Sequence, residues 1–323
     1  MWYAIQRRVL SYLLSQKEVD ASRIGAKGYS YGGTIMWNMA MDERVKAVVA
    51  YFGIGWLEYY RTNSVWMYNN PPKVPQMSPG QELYVSAIAP QAHAPYIRAA
   101  SLWLNGTNDH HGGQERGAET FKRFQTDVPW DFAHQARGHH NTEKLGDDCK
   151  LWLDKHVLGA DQFWPERPLT YIGLDKDGVP EFSIQPDAAE RIEQLNVYYA
   201  QKSAVSFARA WRDVEAKRNG DTWVAKLPVL NVDDTVFGFA NVRYQGDIVV
   251  SSDFEAAIPS TLGAAIATDE PSNQLSEGTG MWKDVAPAEG VGGVQGFRII
   301  NKHHGTFNEQ FNDPKWAAPQ NAE

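Results

Sequence analysis

Apolar and polar positions change their period from one segment of the chain to the next. Apolar residues recur at helical spacing over 2–16, which predicts an amphipathic helix. A short strand is predicted over 24–29, and a second helix over 34–41. Residues 45–52 form a near-continuous apolar run, as expected for a parallel strand that is covered on both faces. This order of elements predicts an open parallel sheet flanked by helices.

Residues 55–95 interrupt this alternation. They are rich in tryptophan, tyrosine and proline, and they are too long and irregular for a plain connection. We therefore expect this segment to cover a site. The alternation then resumes, with strands predicted over 99–104 and 130–134 and helices predicted over 114–125 and 142–158.

After a proline-rich linker at 164–168 the pattern changes to short β-branched and aromatic runs separated by glycine and aspartate. This spacing is typical of a β-sandwich. The predicted strands are 193–199, 204–211, 222–228, 237–244 and 247–251. We therefore predict an α/β domain with a partial parallel sheet and flanking helices over 1–164, a β-sandwich over 165–252 and a partial β-rich module over 253–323.

Composition removes several classes of function. The chain has 323 residues and a formal net charge of −8, and its lysines and arginines form no cluster, so a nucleic-acid partner is not expected. No apolar run reaches the length of a membrane span, so a membrane partner is not expected either. Cys149 is the single cysteine, which rules out an intrachain disulfide.

The motif Gly28-Tyr29-Ser30-Tyr31-Gly32-Gly33 matches the G-x-S-x-G nucleophile elbow. A predicted strand precedes it and a predicted helix follows it, as this motif requires. The turn lifts the serine hydroxyl above the sheet, and we expect glycine to be needed at 28 and 32, where side chains would collide. Ser30 is therefore the candidate nucleophile, and the backbone N–H of Tyr31 is the candidate oxyanion donor.

A serine hydroxyl needs a base, and the base needs an acid that orients it. In sheets of this kind the chain order is serine, acid, histidine. Asp109 follows the predicted strand 99–104, which places it at the ligand-binding edge of a parallel sheet. His139 and His140 follow the next predicted strand. We favour His139 as the base because it comes directly after a glycine, with His140 as the alternative.

Four further residues are candidates for the wall of a substrate pocket: Tyr29, Trp56, His110 and His111. No metal and no other cofactor is expected. Adjacent histidines point apart, and no carboxylate set accompanies them in the sequence.

These motifs resemble those of the dienelactone hydrolase and acetyl xylan esterase group of α/β-hydrolases, within the wider prolyl-oligopeptidase-like superfamily. The resemblance rests on the segment around the elbow, on residues 105–109 and on Gly138-His139, and it covers about residues 2–158. It implies a cofactor-independent serine esterase that acts on a carbohydrate-linked or small-molecule ester. It also implies a secreted or periplasmic protein, with any signal peptide upstream of this chain.

The sequence departs from the family pattern in one respect. Ser30 lies only thirty residues from Met1, whereas the family carries several strands before the elbow. We therefore expect an N-terminally truncated fragment that lacks its first strands, and the sequence shows no source for a second oxyanion donor. Two alternative functions stay open: a prolyl-oligopeptidase-like serine peptidase, and a non-catalytic carbohydrate-binding protein with a vestigial hydrolase domain.

Overall fold

The structure is a computed structural model. It describes residues 2–56, 78–202, 206 and 209–268, together with two short strands near the C-terminus. The chain divides into two compact units, Met1–Thr268 and Asp269–Glu323. Residues 57–77, which make up much of the segment expected to cover a site, lie outside the described residues.

The first sheet contains four parallel strands in the order β1-β2-β3-β4. Their bounds are β1 Gly25–Tyr29, β2 Ala47–Tyr51, β3 Ala100–Gly106 and β4 Trp130–Gln135. All seven residues of β3 are buried, as the continuous apolar pattern of a doubly covered parallel strand predicts. Because the strands are parallel, the segments that follow them all start from one edge of the sheet.

Six helices accompany this sheet in the described part of the chain: α1 Trp2–Leu13, α2 Tyr31–Met39, α3 Pro79–Ala87, α4 Pro90–His93, α5 Gln114–Phe121 and α6 Asp148–His156. None of the helices in the described ranges is long and apolar enough to cross a membrane.

Alternate residues of β2 point to opposite faces of the sheet, and each face has its own core. On one face, Val48 packs in a cluster with Trp37 of α2 and Phe121 of α5. On the other face, Val49 packs in a cluster with Trp152 of α6. Because side chains of a strand alternate between the two faces with a period of two residues, β2 contributes to the core beneath each layer of helices.

The second half of the first unit is built from antiparallel strands. In chain order these are β5 Leu169–Leu174, β6 Pro180–Gln185, β7 Ile192–Gln201, β8 Arg212–Val214, β9 Lys217–Asn219, β10 Thr222–Lys226, β11 Val236–Tyr244, β12 Ile248–Ser251 and β13 Glu255–Ala257, followed by the short helix α7 Pro259–Leu262. One sheet has the order β5-β6-β10-β9, and the other has the order β12-β11-β7-β8 with β13 also paired to β11. Phe182 of the first of these sheets and Val236 of the second belong to one buried cluster, as in a sandwich.

In the second unit, Asp269–Glu323, the structure describes one antiparallel pair, β14 Trp282–Lys283 and β15 Arg298–Ile299.

The predicted fold class is confirmed, since a parallel sheet with flanking helices is followed by antiparallel sheets. The predicted boundary between 252 and 253 falls inside one sheet, because β13 pairs with β11 across it. Within the predicted strand 204–211 the structure describes residues 206 and 209–211, and β8 begins at Arg212.

The β-sandwich covers the outer edge of β4. Among the described strands, β4 pairs only with β3. On its other side the His134 N–H donates to Ser251 Oγ at 2.8 Å, and Asn241 Nδ2 donates to the His134 carbonyl at 2.8 Å. Side chains of β11 and β12 therefore satisfy backbone groups that an open edge would leave exposed.

Two buried acids lie where the α/β domain meets the linker and the sandwich. Asp131 accepts hydrogen bonds from Trp164 Nε1 at 2.7 Å and from the Phe132 N–H at 2.8 Å. Asp148 accepts one from the Val249 N–H at 2.8 Å. Burial raises the pKa of Asp131 to about 7 and raises the pKa of Asp148 well above its ordinary value.

These two acids predict a contribution to stability that falls as pH rises. A raised native pKa means that between pH 4 and 7 each of these carboxyls binds more protons in the folded state than in the unfolded state, so its ionisation favours unfolding. For Asp131 alone the loss is at most about 4 kcal/mol. Urea unfolding between pH 5 and 8 measures it as a difference from wild type, because buried histidines with lowered pKa values act in the opposite direction in both proteins. Stability should fall less, or rise more, with pH in Asp131→Asn than in wild type, and Asp127→Asn at an exposed site should behave as wild type. An equal pH dependence of wild type and Asp131→Asn contradicts the prediction.

Candidate active site

Ser30 occupies a sharp turn between a strand and a helix. β1 ends at Tyr29 and α2 begins at Tyr31, and Ser30 between them has φ 59° and ψ −121°. Two backbone hydrogen bonds hold this strained conformation: the Ser30 N–H donates to the Tyr51 carbonyl at 3.1 Å, and the Thr34 N–H donates to the Ser30 carbonyl at 3.2 Å. Positive φ at a residue other than glycine is costly, and it persists where the surroundings enforce it.

The structure requires glycine at 28 and 33. At 32, where the sequence led us to expect the same requirement, it does not. A Cβ at Gly28 would lie 2.2 Å from the Gly32 carbonyl oxygen, and a Cβ at Gly33 would lie 2.1 Å from the Tyr51 carbonyl oxygen. A Cβ at Gly32 would meet nothing within 4 Å. The start of α2 therefore approaches the backbone of both β1 and β2 closely.

We predict that alanine substitutions at these two neighbouring glycines change the free energy of unfolding in opposite directions. Gly33→Ala should lower the free energy of unfolding by about 3 kcal/mol, because the new methyl group overlaps backbone that cannot move aside. Gly32→Ala should raise it by about 0.5 kcal/mol, because alanine loses less entropy than glycine in a helix. Urea unfolding of both variants measures the difference. Equal effects of the two substitutions would contradict the packing described for the elbow.

Asp109 lies just beyond the end of β3, as its place in the sequence predicts, and its carboxylate is fully buried. Asp109 Oδ1 accepts a hydrogen bond from the His111 N–H at 2.6 Å, and Asp109 Oδ2 lies 2.6 Å from His140 Nδ1. Burial raises the pKa of Asp109, and the contacts with His140 and the His111 amide act in the opposite direction. Since a carboxylate only accepts hydrogen bonds, His140 Nδ1 carries a proton, and in a neutral imidazole Nε2 is then the acceptor nitrogen.

The structure pairs His140 with Asp109, whereas the sequence led us to favour His139. The reason is the path of the backbone after β4. The Gly138 carbonyl accepts from the Asn108 N–H at 2.8 Å, and a Cβ at Gly106 would lie 2.2 Å from the His139 carbonyl oxygen. The chain therefore passes over Gly106 at 138 and 139, and the next side chain is the one that meets the acid.

Aromatic rings surround His140. Its ring stacks on Phe52 with ring centroids 4.1 Å apart, and its carbonyl accepts a hydrogen bond from Tyr29 Oη at 2.6 Å. Phe52 had no role in the sequence-based site. Phe52 is the last residue of the apolar run 45–52 and follows directly after the end of β2. This position was the sequence feature that could have indicated a place beside the site.

Three of the four pocket candidates lie beside His140. Tyr29 Oη donates a hydrogen bond to the His140 carbonyl, and the His110 ring centroid lies 5.0 Å from that of His140. His111 Nε2 lies 3.4 Å from Thr34 Oγ1, and burial, with a smaller effect of His140, lowers the pKa of His111 to about 4. His111 is therefore neutral near pH 7.

The fourth pocket candidate, Trp56, belongs to the hydrophobic core. It is 6 % exposed and packs in the same cluster as Trp37, and its Nε1 donates to Thr120 Oγ1 at 2.8 Å. An indole buried on this scale has no open face for a substrate, so the structure does not group Trp56 with the residues around His140.

The backbone N–H of Tyr31 lies at the first turn of α2. N–H groups at a helix start have no acceptor within their own helix, and the helix dipole adds partial positive charge there. The Ser30 side chain makes no capping hydrogen bond at this end of α2. The Tyr31 N–H therefore lies at the positive end of the helix, in the residue that follows the candidate nucleophile.

Asp109, His110 and His140 offer ligand atoms that all lie within 4.8 Å of one another, so these residues could hold a metal ion. The 2.6 Å separation of Asp109 and His140 is the length of a hydrogen bond and leaves no room for an ion between the two atoms. A metal ion would have to displace the shared proton. The sequence-based expectation of no metal stays a prediction.

A parallel sheet, a serine at a strained turn into a helix, and an acid paired to a histidine beyond later strands form an arrangement typical of α/β-hydrolase domains. Residues 6–153 match the model of the prolyl oligopeptidase family. This part of the chain therefore has an α/β-hydrolase-like fold and resembles the prolyl oligopeptidase family, in keeping with the resemblance that the motifs indicated. The match supports a serine hydrolase of either the esterase or the peptidase kind.

Solved structures similar to this chain include both kinds. A puromycin-hydrolyzing peptidase of Mycobacterium tuberculosis is 19 % identical over 46 % of this chain and 24 % of its own, with a TM-score of 0.38. A putative dienelactone hydrolase of Klebsiella pneumoniae is 21 % identical over 43 % of this chain and 48 % of its own, with a TM-score of 0.29. Acetyl xylan esterase 1 of a Thermoanaerobacterium species is 18 % identical over 43 % of this chain and 47 % of its own, with a TM-score of 0.34.

A search of curated proteins found no match to the chain. The matched region spans about a quarter to a half of the length of the three structures named above.

Proposed function

We propose that this protein is a serine esterase that cleaves a carboxylic ester through an acyl-enzyme on Ser30. The observation that carries the proposal is the buried Asp109–His140 contact of 2.6 Å, on the sheet edge where Ser30 is held in its strained turn. A carboxylate that orients a histidine beside a turn-borne serine suits acyl transfer.

In the proposed reaction His140 Nε2 takes the proton of Ser30 Oγ as this oxygen attacks the ester carbonyl. Asp109 holds the imidazole by its Nδ1 proton and stabilises the imidazolium that forms. The Tyr31 N–H donates to the developing oxyanion. His140 then gives the proton to the departing alkoxide, which leaves as the alcohol. Water attacks the acyl-enzyme with His140 again as base, and the carboxylic acid and Ser30 hydroxyl are released.

Among the described residues no hydrogen bond joins Ser30 Oγ to an imidazole. Catalytic hydrogen bonds are often long without substrate and shorten in the substrate complex. The proposal therefore places the Ser30–His140 contact in the substrate complex. We propose a carbohydrate-linked or small-molecule ester as the substrate, with no cofactor, which is what the resemblance to dienelactone hydrolases and acetyl xylan esterases implies.

A serine peptidase is the second candidate, because the matching family model is that of prolyl oligopeptidases. The two candidates share the same nucleophile, base and acid. They differ in the leaving group that His140 protonates, which is an alkoxide for an ester and an amine for a peptide.

Reaction with a fluorophosphonate probe tests the proposal. We expect one covalent adduct, which peptide mass spectrometry places on Ser30, with equal labelling in the presence and absence of a chelator. We also expect hydrolysis of aryl acetates and no release of arylamine from acyl-prolyl anilides. Absence of an adduct in the folded protein favours the non-catalytic alternative, and hydrolysis of the anilides alone favours the peptidase.

A further inference from the structure

The loop that carries Asp109 is held by the β-sandwich. We define the acid loop as residues 105–113. Within it, Asn108 is buried, and its Nδ2 donates to the backbone carbonyl of Arg209 at 2.8 Å. Asn108 Oδ1 accepts a hydrogen bond from Thr107 Oγ1 at 2.9 Å. The residue next to the acid is thus anchored on a residue 101 positions further along the chain.

The side chain of Arg209 holds the other end of the same loop. The side chain is 2 % exposed, and its guanidinium forms an ion pair with Glu115 in the first turn of α5 and lies over the Phe237 ring at 3.7 Å from its centroid. A guanidinium buried to this extent is tolerated only when it is paired. Arg209 therefore contacts Asn108 on one side of Asp109 and Glu115 on the other.

Another contact between the same domains serves as a comparison. Arg137 Nη1 lies 2.5 Å from Asp213 Oδ2, and the Asp213 side chain is largely exposed. This pair joins the loop after β4 to β8 of the sandwich, and neither member belongs to the acid loop. Its side chains form an ion pair across the junction, and the link from Arg137 to the acid loop is its backbone N–H, which donates to Thr107 Oγ1 at 2.7 Å and is unchanged by substitution of Asp213.

We propose that Arg209 is a positioning residue that keeps the Asp109 carboxylate within hydrogen-bond distance of His140 Nδ1. Through its carbonyl it fixes Asn108, and through its guanidinium it fixes Glu115, so the acid loop keeps one conformation between two points. The expected effect of Arg209 on catalysis rests on the proposed function. Its expected effect on the Asp109–His140 contact does not depend on that function.

Four variants of the full-length protein test this role: Asn108→Ala, Arg209→Gln, the conservative Arg209→Lys, and Asp213→Asn as the matched control. Aryl acetate kinetics and the downfield Nδ1 proton signal of the Asp–His pair in NMR spectra are the readouts. We expect Asn108→Ala and Arg209→Gln to lower kcat about 100-fold with little change in KM, as for a misplaced catalytic group. Their downfield proton signal should be lost.

Arg209→Lys should recover part of the kcat that Arg209→Gln loses, because lysine keeps the charge pair with Glu115 while it loses the stacking on Phe237. Asp213→Asn should keep both wild-type kcat and the proton signal. The proposal is overturned if folded Asn108→Ala retains kcat and the signal, or if kcat falls while the signal persists. If wild-type protein forms no fluorophosphonate adduct, the proposed function fails, and the proton signal still decides the role of Arg209.

Discussion

His140→Ala is expected to reduce kcat for an aryl acetate by about 10⁶-fold, which is the scale of losing the histidine of a serine triad. His140 Nδ1 lies 2.6 Å from Asp109 Oδ2, and this is the imidazole that we propose exchanges a proton with Ser30. His139→Ala should change kcat by only a few-fold, because the contact that places His139 over Gly106 is made by its backbone carbonyl, which alanine preserves. Steady-state kinetics on both purified variants makes the comparison.

The adjacent position is the natural control for this experiment, since both variants remove one imidazole from the same loop. Circular dichroism and thermal unfolding should show both variants folded. If His139→Ala loses turnover and His140→Ala keeps it, the assignment of the base is wrong. If both keep turnover, the Asp109–His140 pair is not catalytic.

Substitution of Ser30 should separate chemistry from stability. Ser30→Ala is expected to lower kcat by about 10⁶-fold and to abolish the fluorophosphonate adduct. The free energy of unfolding should stay close to wild type, because alanine meets the same strain as serine at φ 59°. Ser30→Gly should be equally inactive and more stable by about 1 kcal/mol, since glycine adopts positive φ without that strain.

Kinetics and urea unfolding on the same two preparations check both parts. A fluorophosphonate adduct that persists in Ser30→Ala would mean that a residue other than Ser30 is the nucleophile. Equal stability of the alanine and glycine variants would mean that the turn stores no strain, and the elbow geometry would lose its physical explanation.

Features that depend on local sequence were predictable. The apolar run 45–52 predicted a doubly covered strand, and β2 lies there with a core on each face. The motif around Ser30 predicted a turn from strand to helix, and α2 begins at the next residue. The place of Asp109 after a predicted strand put it at the correct edge of the sheet.

Features set by contacts between distant segments were not predictable in the same way. The pairing of Asp109 with His140 depends on how residues 138 and 139 pass over Gly106, and no local pattern encodes that path. Trp56 resembled a substrate platform because aromatic side chains suit both cores and sites. Gly32 matched the motif, yet the close backbone approach occurs at Gly33.

The edge of β4, covered by Ser251 and Asn241 rather than by a further strand, bears on how this protein can be dissected. The proline-rich stretch at 164–168 looks like a safe point for cleavage or for a shortened clone. A product ending there would lose the side chains that occupy the β4 backbone and would present an unprotected strand prone to self-association. The smallest piece worth expressing on its own therefore extends through the sandwich to Thr268, and gene fusions or deletions should respect that limit.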